Sequence, residues 1–448
     1  MATAELLEEV RTLLAHRERE GVIGLSERIG PADWADIVPL LSPPEVSALI
    51  RWLPDEQVPQ LLAELEPREA ASILRALAVH EAADVLEAMN PDDATDVIDA
   101  LPDEIAEHVL VNMEPGDAAD IRELLAFDEE SAGGIMTPAF VAISPDLKVD
   151  QAIAALRLVA EEAETLSYIY VLDPDEHLIG VLPLHQLVLS RADRRIRDFM
   201  ITDPIRVRAD ATAETAARLL RDRNLLAVPV VDDDDHLLGI VTIDDAADVL
   251  EAAIAGDFLQ MAGTDAEAME LRNPFQVARL RLPWLLGTMV IELFAGFVIS
   301  RFDHVLTEVI LLASFMPVIS AVSGNVGLQA AAIVVRGLDT GHVQTSRWSK
   351  QVSKELATSL LMAIACGLVL GTVGAVWSSH VPFGIVIGGA LTCSMLTAGF
   401  MGSVIPMLSK SLGFDPATTA GPFETAFQDV VGFAVFLWLA SLLVNYLE

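Results

Sequence analysis

Residues 170–181 read Tyr170-Val171-Leu172-Asp173-Pro174-Asp175-Glu176-His177-Leu178-Ile179-Gly180-Val181, and residues 229–240 read Pro229-Val230-Val231-Asp232-Asp233-Asp234-Asp235-His236-Leu237-Leu238-Gly239-Ile240. Each copy predicts a strand, an acidic turn, a second strand opening at Gly180 or Gly239, and a following helix. Met136-Thr137-Pro138 precedes the first copy and Met200-Ile201-Thr202-Asp203-Pro204 the second. Turn, glycine and helix recur in register. Two such copies make one α/β module, placed at 131–251.

Upstream, a different unit repeats. Glu66-Pro67-Arg68-Glu69-Ala70-Ala71, His80-Glu81-Ala82-Ala83 and Asn90-Pro91-Asp92-Asp93-Ala94 are turns leading into short amphipathic segments. Equivalent positions fall at 54, 67, 80, 91, 102 and 115, a spacing that suits one short helix and its turn. Residues 1–130 therefore predict an acidic α-helical solenoid. Most of its carboxylates read as a solvated face, but Asp92 and Asp96, four apart on one helical face, are also placed to join a cation site.

Downstream of Arg281 the character changes. Five apolar stretches, at roughly 282–300, 308–335, 356–377, 383–408 and 418–446, are long enough to cross a bilayer, which takes about 20 residues. Arg272, Arg279, Arg281, Arg336, Arg347, Lys350, Lys354 and Lys410 flank the spans on one side and Arg301 alone on the other. The positive-inside rule puts the first side, and with it the acidic half, in the cytoplasm and the C-terminus outside. The start, Met1 to Glu20, has neither a basic n-region nor an apolar h-region, as expected of a cytoplasmic N-terminus without a signal peptide.

Charge divides the same way. The 448 residues carry 66 Asp+Glu and 28 Lys+Arg, net −38. Residues 1–269 hold 56 acidic and 19 basic side chains, the remainder 10 and 9. Such a surface repels phosphate backbones and offers no basic footprint, which excludes nucleic acid as a partner and favours cations. Both cysteines, Cys366 and Cys393, lie in apolar runs, so neither a disulfide framework nor a thiolate metal site is expected. Charge beyond any sensor, with 4 lysines against 24 arginines, fits a salt-rich cytoplasm or a GC-rich genome equally well.

Ionisable groups inside spans are expensive and are functional candidates by default. Pro422 interrupts the helix near the start of the last span, and Asp429 lies about two turns further in. No Lys or Arg lies within the other spans to pair with it, so a cation or a water-filled pore is the expected partner; a protonated Asp packed on a neighbouring helix is the alternative. Glu292 in the first span either faces a pore or packs on a helix, and the role of Glu424 is open. In the second span, Asn325 and Gln329 share a face and can hydrogen-bond a helix or a hydrated ion, while the nearby glycines suit close packing.

In order and content these parts resemble the MgtE-type magnesium channels and transporters over nearly the whole chain. The resemblance implies a helical N domain at 1–130, tandem CBS (cystathionine-β-synthase) domains at 131–251, a connecting helix at 252–276 and a transmembrane pore domain with five helices at 277–448. Its most specific carriers are Ser323-Gly324-Asn325-Val326-Gly327-Leu328-Gln329 and Asp415-Pro416-Ala417 with Gly421-Pro422 and Asp429. It implies a plasma-membrane homodimer with the pore on its two-fold axis, Asp429 binding Mg²⁺ there and Asp415 at the cytoplasmic mouth. From the residues themselves, Asn325 is the better functional candidate of its span, with an amide oxygen suited to the outer shell of a hydrated ion. It also implies gating by cytoplasmic Mg²⁺ held by Asp92, Asp96, Asp245, Asp248, Glu251 and Asp257. Ala253, Gly256 and Asn224 stand where that family is expected to have carboxylates, which implies a weaker or shifted sensor. The CBS pair of that family also binds ATP; Tyr170 resembles an aromatic position of that site, whereas Leu225 replaces another.

Mg²⁺ gives up water reluctantly, so a pore should hold it largely hydrated. An inside-negative potential supplies about 4.6 kcal/mol per divalent ion per 100 mV, enough for passive uptake. No GxxxxGK[ST] motif suggests a pump, and no grouped nucleophile, base and orienting residue suggests an enzyme. The competing readings are a transporter of Mn²⁺ or Co²⁺, a CBS-bearing anion carrier, and a membrane-anchored sensor that moves no ion. Acidic rather than basic groups in the spans oppose the anion carrier, and Asp429 with Asn325 opposes the pure sensor.

Overall fold

Proline sets the rhythm of the N-terminal half. The computed structural model describes residues 3–159, 163–264, 273–343 and 345–443. Its first helices are α1 (Thr3–His16), α2 (Arg19–Ser26), α3 (Pro31–Ala35), α4 (Pro43–Trp52), α5 (Gln57–Ala63), α6 (Pro67–Leu74), α7 (Val79–Glu87), α8 (Pro91–Asp99), α9 (Asp103–Asn112) and α10 (Pro115–Leu124). Pro43, Pro67, Pro91 and Pro115 each open a helix, where the missing N–H costs nothing because that donor has no intrahelical partner. Glu45 reaches back to the start of α4, where its Oε2 accepts from the Ser42 N–H and Oγ. α2 packs on α4, α6 on α8 and α8 on α10, and in a second row α3 on α5, α5 on α7 and α7 on α9, so the solenoid buries one continuous core from Leu6 to Ile121. The repeat predicted α4–α10; the helices before it have no equivalent in that pattern.

The α/β module contains β1 (Ala142–Ile143), α11 (Val149–Val159), β2 (Tyr168–Leu172), β3 (Leu178–Pro183), α12 (Leu184–Leu189), β4 (Ile201–Thr202), β5 (Val207–Arg208), α13 (Ala213–Arg223), β6 (Ala227–Val231) and β7 (Leu237–Thr242). The first sheet runs β1-β2-β3-β4 and the second β5-β6-β7, with the β2/β3 and β6/β7 hairpins antiparallel. The second strand of each copy opens two residues before the glycine expected to start it, because the Asp turn closes earlier. Asp173 Oδ1 accepts from the backbone N–H of Asp175 and of His177, and Asp232 Oδ1 from those of Asp234 and His236. The glycines serve a close approach instead. A Cβ on Gly180 would meet the Met200 sulfur at 2.8 Å, and one on Gly239 the Thr137 carbonyl at 2.8 Å. Each Met-Pro segment thus crosses to the other copy's hairpin: Thr137 bridges to Ile240, and Thr202 pairs with Gly180.

α14 (Ile243–Met261) runs unbroken through the boundary expected at 251/252, since Asp244 to Gln260 contains no breaker stronger than Gly256. The chain divides into the units Met1–Glu251 and Ala252–Glu448. The membrane half continues with α15 (Pro274–Ser300), α16 (Asp303–Glu308), α17 (Leu312–Asp339), α18 (Trp348–Ser378), α19 (Val381–Ser411), α20 (Pro416–Thr419) and α21 (Pro422–Leu443). Among the described residues, five helices are long and apolar enough to cross a membrane: α15, α17, α18, α19 and the α20–α21 stretch. α15 begins eight residues before the predicted span, capped by the Asn273 side chain, because the helix outlasts its apolar stretch and carries Arg279 and Arg281. α18 and α19 press together where Gly367, Gly371, Gly384 and Gly388 leave no room for a Cβ. Arg272, residues 265–272 of the expected connecting helix and residues 444–446 of the last span lie outside the described residues.

Candidate functional site

The helix turn at Pro91 aims acidic side chains at the α/β module. Asp92, Glu164 and Asp245 each offer a carboxylate oxygen, and these atoms all lie within 4.8 Å of one another. Asp92 is 9% exposed and fully enclosed at Oδ1, which has no hydrogen-bond partner; the same holds for Glu164 Oε2. Thr137, wholly buried, faces both Asp92 and Glu164, and Thr242 Oγ1 donates to Asp245 Oδ2 at 2.5 Å. Burial pushes Asp92 and Asp245 up to about 6; burial, then neighbouring carboxylates, push Asp93 and Glu164 up to about 8. Asp96, at the exposed rim, is pushed by desolvation and Asp245 to about 6. Uncompensated carboxylates with orphaned oxygens fit a hard divalent cation bound by oxygen ligands.

Of the regulatory candidates, Asp92, Asp96 and Asp245 are thus brought together. Asp248 and Glu251 stand exposed one and two turns further along α14, where burial, Glu251 and Asp244 raise the Asp248 carboxyl. Asp257 lies on the same helix beyond the unit boundary. Glu164 and Asp93 were not predicted. Asp93 shares the α8 face by its i,i+3 spacing to Asp96, which a fuller reading of the helix could have found. Glu164 lies on an irregular approach to β2, and nothing local in its sequence marks it.

Asp173-Asp175-His177 and Asp232-Asp234-His236 also bring three ligand-type atoms together. Their first aspartates are already engaged by backbone N–H groups and by histidine Nδ1, so these are turn-closing units. His177 and His236 stack with centroids 4.5 Å apart. Tyr170, expected at a nucleotide site, is instead 1% exposed, edge-on to Phe140 at 6.1 Å, with its hydroxyl unpartnered.

In the membrane half, Ser320 Oγ on α17 donates to Asp429 Oδ1 on α21 at 2.6 Å. Glu292 on α15 also comes within hydrogen-bonding reach of Asp429, so a hydroxyl and two carboxylates converge from three helices. The sequence left Glu292 undecided, and Ser320 was not singled out. Asn325 is exposed on α17, five residues or about 7.5 Å beyond Ser320. Asp415, exposed, caps α20 by accepting from the Ala417 N–H at 2.8 Å. The expected break at Pro422 is realised as the α20–α21 step, where a Cβ on Gly421 would overlap the Met261 carbonyl.

Comparison with known families matches residues 29–130 to the MgtE intracellular N domain, 132–192 and 196–252 to CBS domains, and 316–439 to MgtE, described as a divalent cation transporter. The chain belongs to the MgtE family. It is 38% identical to the magnesium transporter MgtE of Enterococcus faecalis over 326 residues, covering 73% of this chain and 72% of that protein. Against the magnesium transporter MgtE of Thermus thermophilus it is 33% identical over 328 residues, 72% of each. Among solved structures, the soluble part of a magnesium transporter matches at 31% identity and TM-score 0.52, covering 56% of this chain and 98% of that one. The cytosolic domain of the Mg²⁺ channel MgtE in complex with ATP matches at 30% identity and TM-score 0.53, covering 54% and 99%. The MgtE fold therefore accounts for the solenoid, the CBS pair and the apolar helices alike.

Proposed function

We propose that this MgtE-family chain conducts Mg²⁺ passively across the plasma membrane as a homodimer, with the N-terminal and CBS regions cytoplasmic and the C-terminus outside. The observation that carries this reading is the Asp429 carboxylate, held by Ser320 and met by Glu292 inside apolar helices. A hydrated divalent ion is the partner such a group calls for, and two copies on a dimer axis favour a divalent over a monovalent cation by charge. Asn325 lies on the exposed face of α17 from which a partner or a pore is reached, and Asp415 lies on the approach to α21. The names of the relatives support Mg²⁺ over Mn²⁺ or Co²⁺ and support transport over enzymatic chemistry.

Cytoplasmic Mg²⁺ filling the Asp92–Glu164–Asp245 cluster holds the solenoid on the CBS pair, and its loss lets the carboxylates repel; Asp93, Asp96, Asp248 and Glu251 extend that acidic surface. ATP binding by the CBS pair is a second reading, favoured by the ATP complex of a similar cytosolic domain. Tyr170 would then act only after leaving its buried position. Purified protein in liposomes containing a Mg²⁺-sensitive dye tests the central reading: uptake is expected for the unmodified chain and not for Asp429→Ala, and equal uptake by both would overturn it.

A further inference from the structure

Glu424 stands apart from the carboxylates assigned above. Its side chain has no exposed area, and neither carboxyl oxygen has a hydrogen-bond partner. A Cβ on Gly327 would overlap the Glu424 carboxyl, and a Cβ on Gly402 would overlap the Gly327 carbonyl. Two glycines, on α17 and α19, thus let three helices close around one acid. No metal ion or water fits against those oxygens in this packing.

A bare carboxylate so enclosed loses its hydration with nothing to replace it, so the charged form is strongly disfavoured. Among the described residues no Lys, Arg or His side chain bonds to either oxygen. On α17 the ionisable residues past Gly327 are Arg336 and Asp339, the nearer about 13 Å along the axis. On α19, Lys410 lies eight residues past Gly402, about 12 Å away. Asp415 heads α20, and Asp257 precedes Met261, whose carbonyl meets Gly421. Asp429, on the same helix as Glu424, adds repulsion, and Glu292 faces Asp429. These acidic neighbours oppose charge on Glu424; on α15, which packs along α21, the basic residues are Arg279 and Arg281, and Arg281 donates its Nε to Thr264 Oγ1 and lies 11 residues, about 16 Å along the axis, before Glu292.

We propose that Glu424 is a proton-binding site of the membrane half, occupied while α21 packs on Gly327 and emptied when those helices part. A proton needs no volume, which suits a carboxyl group with no free space around it. On release the O–H bond breaks, the electron pair stays on the carboxylate and the proton passes to water admitted between the helices. The charged group then needs that water and resists reclosure, so protons favour the closed packing. The link to conduction rests on the transport reading above; the protonation itself does not.

Infrared difference spectra of the purified full-length protein between acidic and alkaline pH read the protonation directly. The expected result is a carbonyl stretch of a protonated carboxyl that is lost in Glu424→Gln and shifted in Glu424→Asp, each variant first shown to be folded by its melting transition. A spectrum unchanged by both substitutions would overturn the site. In liposomes, Mg²⁺ uptake of the unmodified chain is expected to rise about tenfold over roughly one pH unit, the limit for a single proton, with Glu424→Gln losing most of that slope. An identical pH profile in Glu424→Gln would overturn the coupling, whereas absence of uptake at every pH would strike the transport reading and leave the infrared result standing.

Discussion

Asp92 on the solenoid and Asp245 at the start of α14 present carboxylate oxygens within 4.8 Å of each other, with Glu164 completing the triangle. They are far apart in sequence and brought together by the docking of helix array on CBS pair. Their charges repel unless a cation or protons intervene. Removing one charge should therefore have opposite effects with and without metal. Asp92→Asn or Glu164→Gln is expected to stabilise the metal-free protein by roughly 1–2 kcal/mol at neutral pH or above. The same variants should lose most of the melting-temperature increase that millimolar Mg²⁺ gives the unmodified chain. Calorimetry in EDTA and in Mg²⁺ checks both signs, and an unchanged Mg²⁺ response would exclude the cluster as a binding site.

The pH dependence has a definite sign. Asp92, Asp96 and Asp245 are pushed up to about 6, and Asp93 and Glu164 to about 8, while unfolded carboxylates titrate near about 4. Between about pH 4 and 8 the folded protein binds more protons than the unfolded chain, so its metal-free stability falls as pH rises. Mg²⁺ competes with those protons, so its affinity should climb over the same window. Thermal melts in EDTA across that range, with Mg²⁺ titrations at each pH, test this. A melting temperature that rises with pH in EDTA would contradict it.

The Ser320–Asp429 hydrogen bond orients the intramembrane carboxylate. A bond to a charged group is worth about 1.5–3 kcal/mol, so Ser320→Ala should slow Mg²⁺ uptake about tenfold or more while Ser320→Thr keeps most of it. Glu292→Gln tests the third arm of this site and should weaken discrimination between Mg²⁺ and monovalent cations. Dye-loaded liposomes report both; full activity in Ser320→Ala would show that the contact is incidental.

Glycines of the membrane half separate by their surroundings. Gly402→Ala would drive a methyl into the Gly327 carbonyl, whereas Gly389 has nothing within 4 Å. The first should cost about 1–3 kcal/mol through overpacking. Gly389→Ala should be neutral or slightly stabilising, since alanine is the better helix former. Melting temperatures in one detergent compare the two, and equal values would refute the close approach of α17 to α19.

Local signals in the sequence determined the parts. Proline at helix starts gave the solenoid its spacing, the duplicated Asp-turn hairpin gave the CBS pair, and length with hydropathy gave the spans, because each rests on residues within a turn or two of one another. Asp429 could be singled out because a carboxylate in an apolar helix is costly wherever it lies. What the tertiary structure decided is which of these groups meet. Glu164 joins Asp92 and Asp245, Ser320 and Glu292 reach Asp429, Tyr170 turns into the core, and Glu424 is sealed against Gly327. None of these follows from periodicity. A helix pattern fixes which face a side chain lies on, but its partner depends on how helices and sheets distant in sequence pack, and a glycine marks a close approach without naming what approaches.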